Sequence, residues 1–186
     1  MFGPMRGRRR KKTFNDAGHA HELTFSTYRR AWVFLDARAC EALLRSLDDA
    51  RKKHSFEVWA YVLMPDHVHL LVWPRNSAYD TASFLQDLKR PFAKDHLAAL
   101  TGEGSPLLER LSVPGTEGRQ RRKIWQPGGG YDRNIHSAAA TKKSIDYIHF
   151  NPVVAGLCKR SEDYPWSSAA WYAGLPARFE VDRAKY

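Results

Sequence analysis

Apolar and polar positions alternate along Tyr61–Trp73 and then run continuously apolar, the pattern of a mostly buried strand. Pro65-Asp66 interrupts it as a tight connection, because proline sits poorly inside a central strand. Phe56–Ala60 leads into the strand before that turn, and His21–Tyr28 alternates in the same way further upstream. Leu43, Leu44 and Leu47 with Ala39 and Ala42 form one stripe of a helix over 37–53. Phe84, Leu85, Leu88, Phe92 and Leu97 do the same over 82–100, where Pro91 is expected to kink or split the helix. Tyr131–Ile135 reads as a last strand. Ser137 caps a following helix, which Pro152 should end or bend near Asn151. A short helix around Trp166–Tyr172 adds apolar cover. The order strand, helix, strand, strand, helix, strand, helix predicts an α+β fold: an antiparallel sheet with helices on one face and the strand at 67–73 in its centre.

Two stretches fall outside this periodicity. Residues 1–14 read as a flexible basic arm, and residues 101–123 as a long mobile loop ending in Arg121, Arg122 and Lys123. The remaining length, 15–186, is right for a single domain with a real core, and 43% hydrophobic residues argue against wholesale disorder. Net charge is +10; residues 1–14 supply six positive charges, which leaves +4 (10 − 6) on the rest. Basicity of this order points to a polyanionic partner, nucleic acid before membrane. Cys40 and Cys158 match no CxxC pattern and no apolar run reaches the length of a membrane span, so the expectation is a reduced, cytoplasmic protein.

The candidate chemistry sits in two places. His67 and His69 are two residues apart on a strand, so their rings share a face while Val68 points the other way. That spacing suits half of a metal site and equally suits ordinary, partly buried histidines. Tyr147 and Asn151 are four residues apart on a helix and therefore lie one turn apart on the same side. A phenol can serve as an oxygen nucleophile and a carboxamide oxygen as a hard metal ligand; a packed aromatic beside a helix-terminal asparagine is the structural alternative. Pro127-Gly128-Gly129-Gly130 is not a phosphate loop, since no Gly-Lys-Ser/Thr follows.

Taken together, these segments resemble a known family. His67-Val68-His69 within Tyr61–Val72 is similar to the histidine–hydrophobic–histidine motif of single-tyrosine HUH transposases. Tyr147-Ile148-His149-Phe150-Asn151-Pro152-Val153-Val154-Ala155-Gly156-Leu157, followed by Asp163-Tyr164-Pro165-Trp166-Ser167-Ser168, resembles their tyrosine-helix signature. The asparagine and the Asn-Pro-Val-x-Ala-Gly-Leu run resemble the REP-associated tyrosine transposases in particular; insertion-sequence relatives more often carry glutamine at that place. Trp125-Gln126 and Tyr131-Asp132-Arg133 also resemble the family's strand before that helix. The resemblance covers about residues 20–172 and leaves the basic arm and the 101–123 stretch outside.

It implies a ferredoxin-like, HUH-type sheet in one domain over 15–186. It further implies metal-dependent cleavage and strand transfer of single-stranded or hairpin DNA from repetitive extragenic palindromes. By resemblance, His67, His69 and Asn151 bind a divalent cation and Tyr147 is the nucleophile, forming a 5′-phosphotyrosine. Mg²⁺ or Mn²⁺ suits such a nitrogen–oxygen set with open water positions better than zinc. No residue identifies itself as the base for Tyr147. Arg29, Arg30, Arg75, Lys89, Arg90, Arg121, Arg122, Lys123 and Arg133 are candidate phosphate contacts, and Trp73 and Trp125 candidate stacking platforms. No membrane partner is expected, and the family admits monomers as well as homodimers. The alternatives are a hairpin-binding protein that does not cut and a nuclease that uses water and leaves no adduct.

Overall fold

The computed structural model describes residues 15–115, 121–128 and 130–185; the basic arm at 1–14 lies outside them. Four strands, β1 (Ala20–Ser26), β2 (Phe56–Met64), β3 (His67–Pro74) and β6 (Tyr131–Ile135), form one sheet in the order β2-β3-β1-β6, every pairing antiparallel. The strand carrying the two histidines is internal, as its apolar run predicts. Met64 pairs with His67, so Pro65-Asp66 is the two-residue turn of a hairpin.

Alternation of side chains divides the core in two. Leu23, Phe25, Val68, Leu70 and Val72 project to one face and meet α1 (Ala37–His54) and α2 (Thr81–Gly102) through Leu43, Leu47, Phe84, Leu88 and Phe92. Ala20, Val62, Met64 and Leu71 project to the other and meet Ile145 and Ile148 of α4 (Ala138–Val154). The antiparallel α+β arrangement follows the sequence reading; confinement of the helices to one face does not. The apolar residues of β2 and β3 run consecutively because both faces are covered. A register shift between Val58 and Ala60 breaks the alternation of β2, so that the adjacent Trp59 and Ala60 both join the α4-side core.

Both helix-interior prolines are accommodated. Pro91 lies on the exposed side of α2, where the carbonyl it leaves unbonded can face water, and the helix runs unbroken to Gly102. Pro152 is buried beside Ile148, and packing against the sheet carries α4 through Asn151 to Val154. The 101–123 stretch is also more structured than expected. It holds the end of α2, a short α3 (Leu107–Arg110) and a ribbon of β4 (Ser112–Val113) with β5 (Arg121–Arg122), anchored by buried Leu111 and Ile124. Residues 116–120 lie outside the described residues.

Residues 166–168, which precede α5 (Ala169–Tyr172), bond along the outer edge of β2: Leu63 N–H donates to Trp166 O at 2.8 Å and Ser168 N–H to Tyr61 O at 3.0 Å. That covers one sheet edge; β6 forms the other. No helix among the described residues is long and apolar enough to cross a membrane.

Candidate functional site

The β2–β3 hairpin presents His67 and His69 on the α4 face, their ring centroids 4.9 Å apart and the rings near perpendicular. Each Nδ1 already has a partner. His67 Nδ1 lies 2.6 Å from Asp66 Oδ1, and because a carboxylate only accepts, that nitrogen carries the proton. His69 Nδ1 lies 2.8 Å from Thr24 Oγ1 on the neighbouring strand, where Thr24 pairs directly with His69. Both Nε2 atoms are left over. His69 Nε2 is buried and has no hydrogen-bond partner among the described residues.

Burial is the main reason His69 has its pKa pushed down to about 4, and electrostatic repulsion from the neighbouring His67 ring and the Arg30 guanidinium adds to it. The imidazole is therefore neutral at physiological pH and offers a lone pair, which is the state a metal requires. A buried polar atom without a partner normally costs on the order of 1–3 kcal/mol, so a cation at this nitrogen would satisfy it. The donor set fits a divalent ion, with Asp66 and Thr24 orienting the rings as outer partners.

Tyr147 closes the arrangement from the other side. Ser137 caps α4 by accepting from Ala140 N–H at 3.3 Å, and buried Ser144, Ile145 and Ile148 seat the helix on the sheet. Buried Glu22 of β1 accepts from Ser144 Oγ and from Arg133 Nη2, the latter at 2.6 Å, which ties α4 and β6 to the centre. Tyr147 is thereby brought edge-on to His69, ring centroids 5.5 Å apart, while remaining 54% exposed. Asn151 lies one turn further along α4. Its Nδ2 donates to Tyr147 O at 2.7 Å, and among the described residues it makes no hydrogen bond to either imidazole and its carboxamide oxygen has no hydrogen-bond partner.

The predicted phosphate contacts scatter. Arg29 and Arg30 form a tight turn in left-handed backbone (φ 51° and 53°) at the His67 end of the hairpin. Arg30 pairs with Asp66 at 3.1 Å and so extends the Asp66–His67 chain, whereas Arg29 packs its guanidinium 5.1 Å from the Tyr28 ring centroid. Arg75 sits at the far end of β3 and is committed to Glu57 (3.3 Å) and Asp182 (3.2 Å). Arg133 is held by Glu22. Arg121, Arg122 and Lys123 are exposed on and beside the β4–β5 ribbon, while Lys89 and Arg90 lie on α2, the face opposite the histidines. Trp73 is stacked on Trp59 (5.9 Å between centroids), with Lys185 Nζ 4.8 Å from its ring centroid.

Thr24, Asp66, Glu22 and Ser144 belong to the site and carried no sequence signal on which to pick them. Asp66 adjoins His67, but only the strand register puts Thr24 and Glu22 within reach.

Sequence and fold have counterparts among known proteins. The family model "Transposase IS200 like" matches residues 16–97, which include both histidines. A REP-associated tyrosine transposase of Escherichia coli (strain K12) is 23% identical over 128 residues, 69% of this chain and 63% of that protein. A putative REP-associated tyrosine transposase of Haemophilus influenzae (strain ATCC 51907 / DSM 11121 / KW20 / Rd) is 26% identical over 115 residues, 62% of this chain and 60% of that protein. The chain thus spans less than two thirds of the length of these curated relatives. Its fold matches the solved structure of a REP-associated tyrosine transposase bound to a REP hairpin, with a TM-score of 0.65, 20% identity, and coverage of 96% of this chain and 95% of that one. The chain is thus similar in sequence to REP-associated tyrosine transposases over part of its length, and its residues 16–97 match the IS200-like transposase model.

Proposed function

We propose that this protein is a metal-dependent transposase that cleaves and rejoins single-stranded DNA through a 5′-phosphotyrosine, acting on REP-type palindromic hairpins in the cytoplasm as a monomer or homodimer. The observation that carries the reading is the exposed Tyr147 phenol lying beside a neutral, buried imidazole whose Nε2 is unsatisfied. His67, His69 and the open carboxamide of Asn151 would hold Mg²⁺ or Mn²⁺, which neutralises phosphate charge and fixes an in-line approach.

Tyr147 Oη attacks the scissile phosphorus, the P–O3′ bond breaks, and the leaving 3′-oxygen takes a proton from water to become a free 3′-OH. The phenolic proton passes to water, which the exposure of Tyr147 admits. The phosphotyrosyl bond retains the energy of the phosphodiester, so a second 3′-OH can attack it, restore the phenol and join two strands without a nucleotide cofactor. Packing of α4 on the sheet through Ile145, Ile148 and the Glu22–Ser144 contact keeps the phenol in place for both steps.

The test is a labelled hairpin oligonucleotide with a single-stranded flank, incubated with Mg²⁺ or Mn²⁺ and run on a denaturing gel. A covalent protein–DNA band is expected. Tyr147→Phe should abolish it, and His69→Ala should lower it by more than about 100-fold. A band that survives Tyr147→Phe removes the nucleophile; cutting without an adduct means a water-using nuclease; binding without cutting means a hairpin-binding protein.

A further inference from the structure

On the sheet face away from the histidines, α2 and the edge strand β6 enclose a cleft of about 470 Å³. Its walls include Leu85, Gln86, Lys89 and Arg90 of α2, Trp125 just before β6, and Asp132 of β6. The two faces of β6 do different things. Arg133 turns toward Glu22 on the histidine face, whereas Asp132 turns toward His21, its Oδ1 2.8 Å from His21 Nδ1, on the α2 face. The cleft is therefore separate from the His67–His69–Tyr147 arrangement and lies round the sheet's one open edge from it.

Its chemistry is specific. Lys89 is half-buried, with Nζ 4.9 Å from the Phe25 ring centroid and 5.3 Å from that of Trp125. Neither Lys89 nor Arg90 has an ion-pair partner among the described residues, although Arg133 of β6 and Arg38, Arg51, Lys52 and Lys53 of α1 do. Burial draws the Lys89 pKa downward, the sign of a charge held partly out of water without a counter-ion. Trp125 is fixed as a platform: its Nε1–H donates to Lys89 O at 2.9 Å, and Phe25 and Phe92 pack against it. An aromatic wall, two unpaired cations and a neighbouring amide and carboxylate that can bond a base edge are complementary to one nucleotide.

We propose that this cleft takes a single unpaired nucleotide of the DNA strand, its base against Trp125 and Leu85 and its phosphate on Lys89 and Arg90. The inference deepens the DNA strand-transfer reading and rests on it for the choice of DNA. The strand would pass round the β6 edge, where Arg133 and Tyr131 are exposed, so that one segment is anchored behind the sheet while another reaches Tyr147 in front. The cleft then contributes a choice of unpaired base at a fixed distance from the cut.

The test uses hairpin oligonucleotides carrying 5-iododeoxyuridine at successive unpaired positions, photocrosslinked to the full chain and mapped by peptide mass spectrometry. One position should crosslink to Trp125. Ala82→Trp, an exposed position on the cleft rim, should remove that crosslink and weaken binding about tenfold. Lys89→Gln should lower affinity and reduce the slope of log K against log salt by about one. Crosslinks confined to the histidine face, with Tyr147 adducts still formed, overturn the cleft and leave the catalytic reading standing. A Trp125 crosslink without any adduct keeps the cleft and removes the catalytic reading.

Discussion

His69 shows how one residue's environment sets its chemistry. In water an imidazole titrates near pH 6.5; here burial suppresses the charged form to about pH 4 while Thr24 occupies Nδ1. The result is a ring that is neutral, fixed in rotation and open at one nitrogen. Thr24→Val removes the hydrogen bond at nearly constant volume, leaving Nδ1 unsatisfied and the ring free to turn. Mn²⁺ affinity measured by calorimetry should fall by roughly 10–100-fold, with little change in fold by circular dichroism. An unchanged affinity would mean that Thr24 does not orient the ligand. Asp66 does the equivalent for His67, and its second contact, to Arg30, links the ring to the left-handed Arg29–Arg30 turn. Two consecutive non-glycine residues in that conformation cost on the order of 1–2 kcal/mol each, strain located beside the site.

At the scale of elements, the site depends on how closely β6 and β1 approach. Gly130, at the start of β6, has φ +66°, and a Cβ there would sit 2.2 Å from Thr24 O. Backbone cannot yield at that distance without moving β1, and Thr24 is the residue that orients His69. Gly130→Ala should therefore destabilise the fold by more than about 2 kcal/mol and weaken metal binding together, read as a lower urea midpoint and a lower Mn²⁺ affinity. Were stability to drop with Mn²⁺ affinity intact, β6 would be uncoupled from the histidines. The tyrosine helix is located by the same logic. Its short polar Ser144 reaches a buried carboxylate, and one turn later Ile148 fills the core beneath Tyr147. Proline at 152 does not end the helix, because the burial that seats these residues outweighs the local preference.

Across the whole molecule, several histidines are kept neutral by burial. His149, with Nε2 2.8 Å from Ser168 Oγ, is pushed down to about 4 like His69, and burial also draws His96 down. Above pH 6.5 these groups are neutral folded and unfolded, so they add no pH dependence. Below it the unfolded chain takes up protons that the folded chain refuses, so stability falls as pH drops from 6.5 toward 4 and levels off beneath that. His69 and His149 each account for on the order of 3 kcal/mol over the full range. Thermal melts in chelator should show the midpoint decreasing steadily between pH 7 and pH 5, and a flat profile would show that these rings are more hydrated than their packing indicates. Carboxylates such as Asp36 and Asp80, held below their ordinary range by hydrogen bonds from Arg38 and Ser83, act only at lower pH.

Periodicity alone determined the main strands and helices, the hairpin at Pro65-Asp66 and the internal position of the histidine strand, because local alternation reports burial directly. The pairing of His67 with His69 was equally legible, since a period of two puts both rings on one side. What only tertiary structure decided was which layer each helix joins, because a continuously apolar strand reads the same under one cover or two. It also decided the partners of each charge. Arg75, Arg133 and Lys89 are alike in sequence, yet one is locked in ion pairs at the far end of β3, one braces a buried glutamate, and one stands unpaired in a cleft. Those differences arise from contacts between residues far apart along the chain, which no local pattern records.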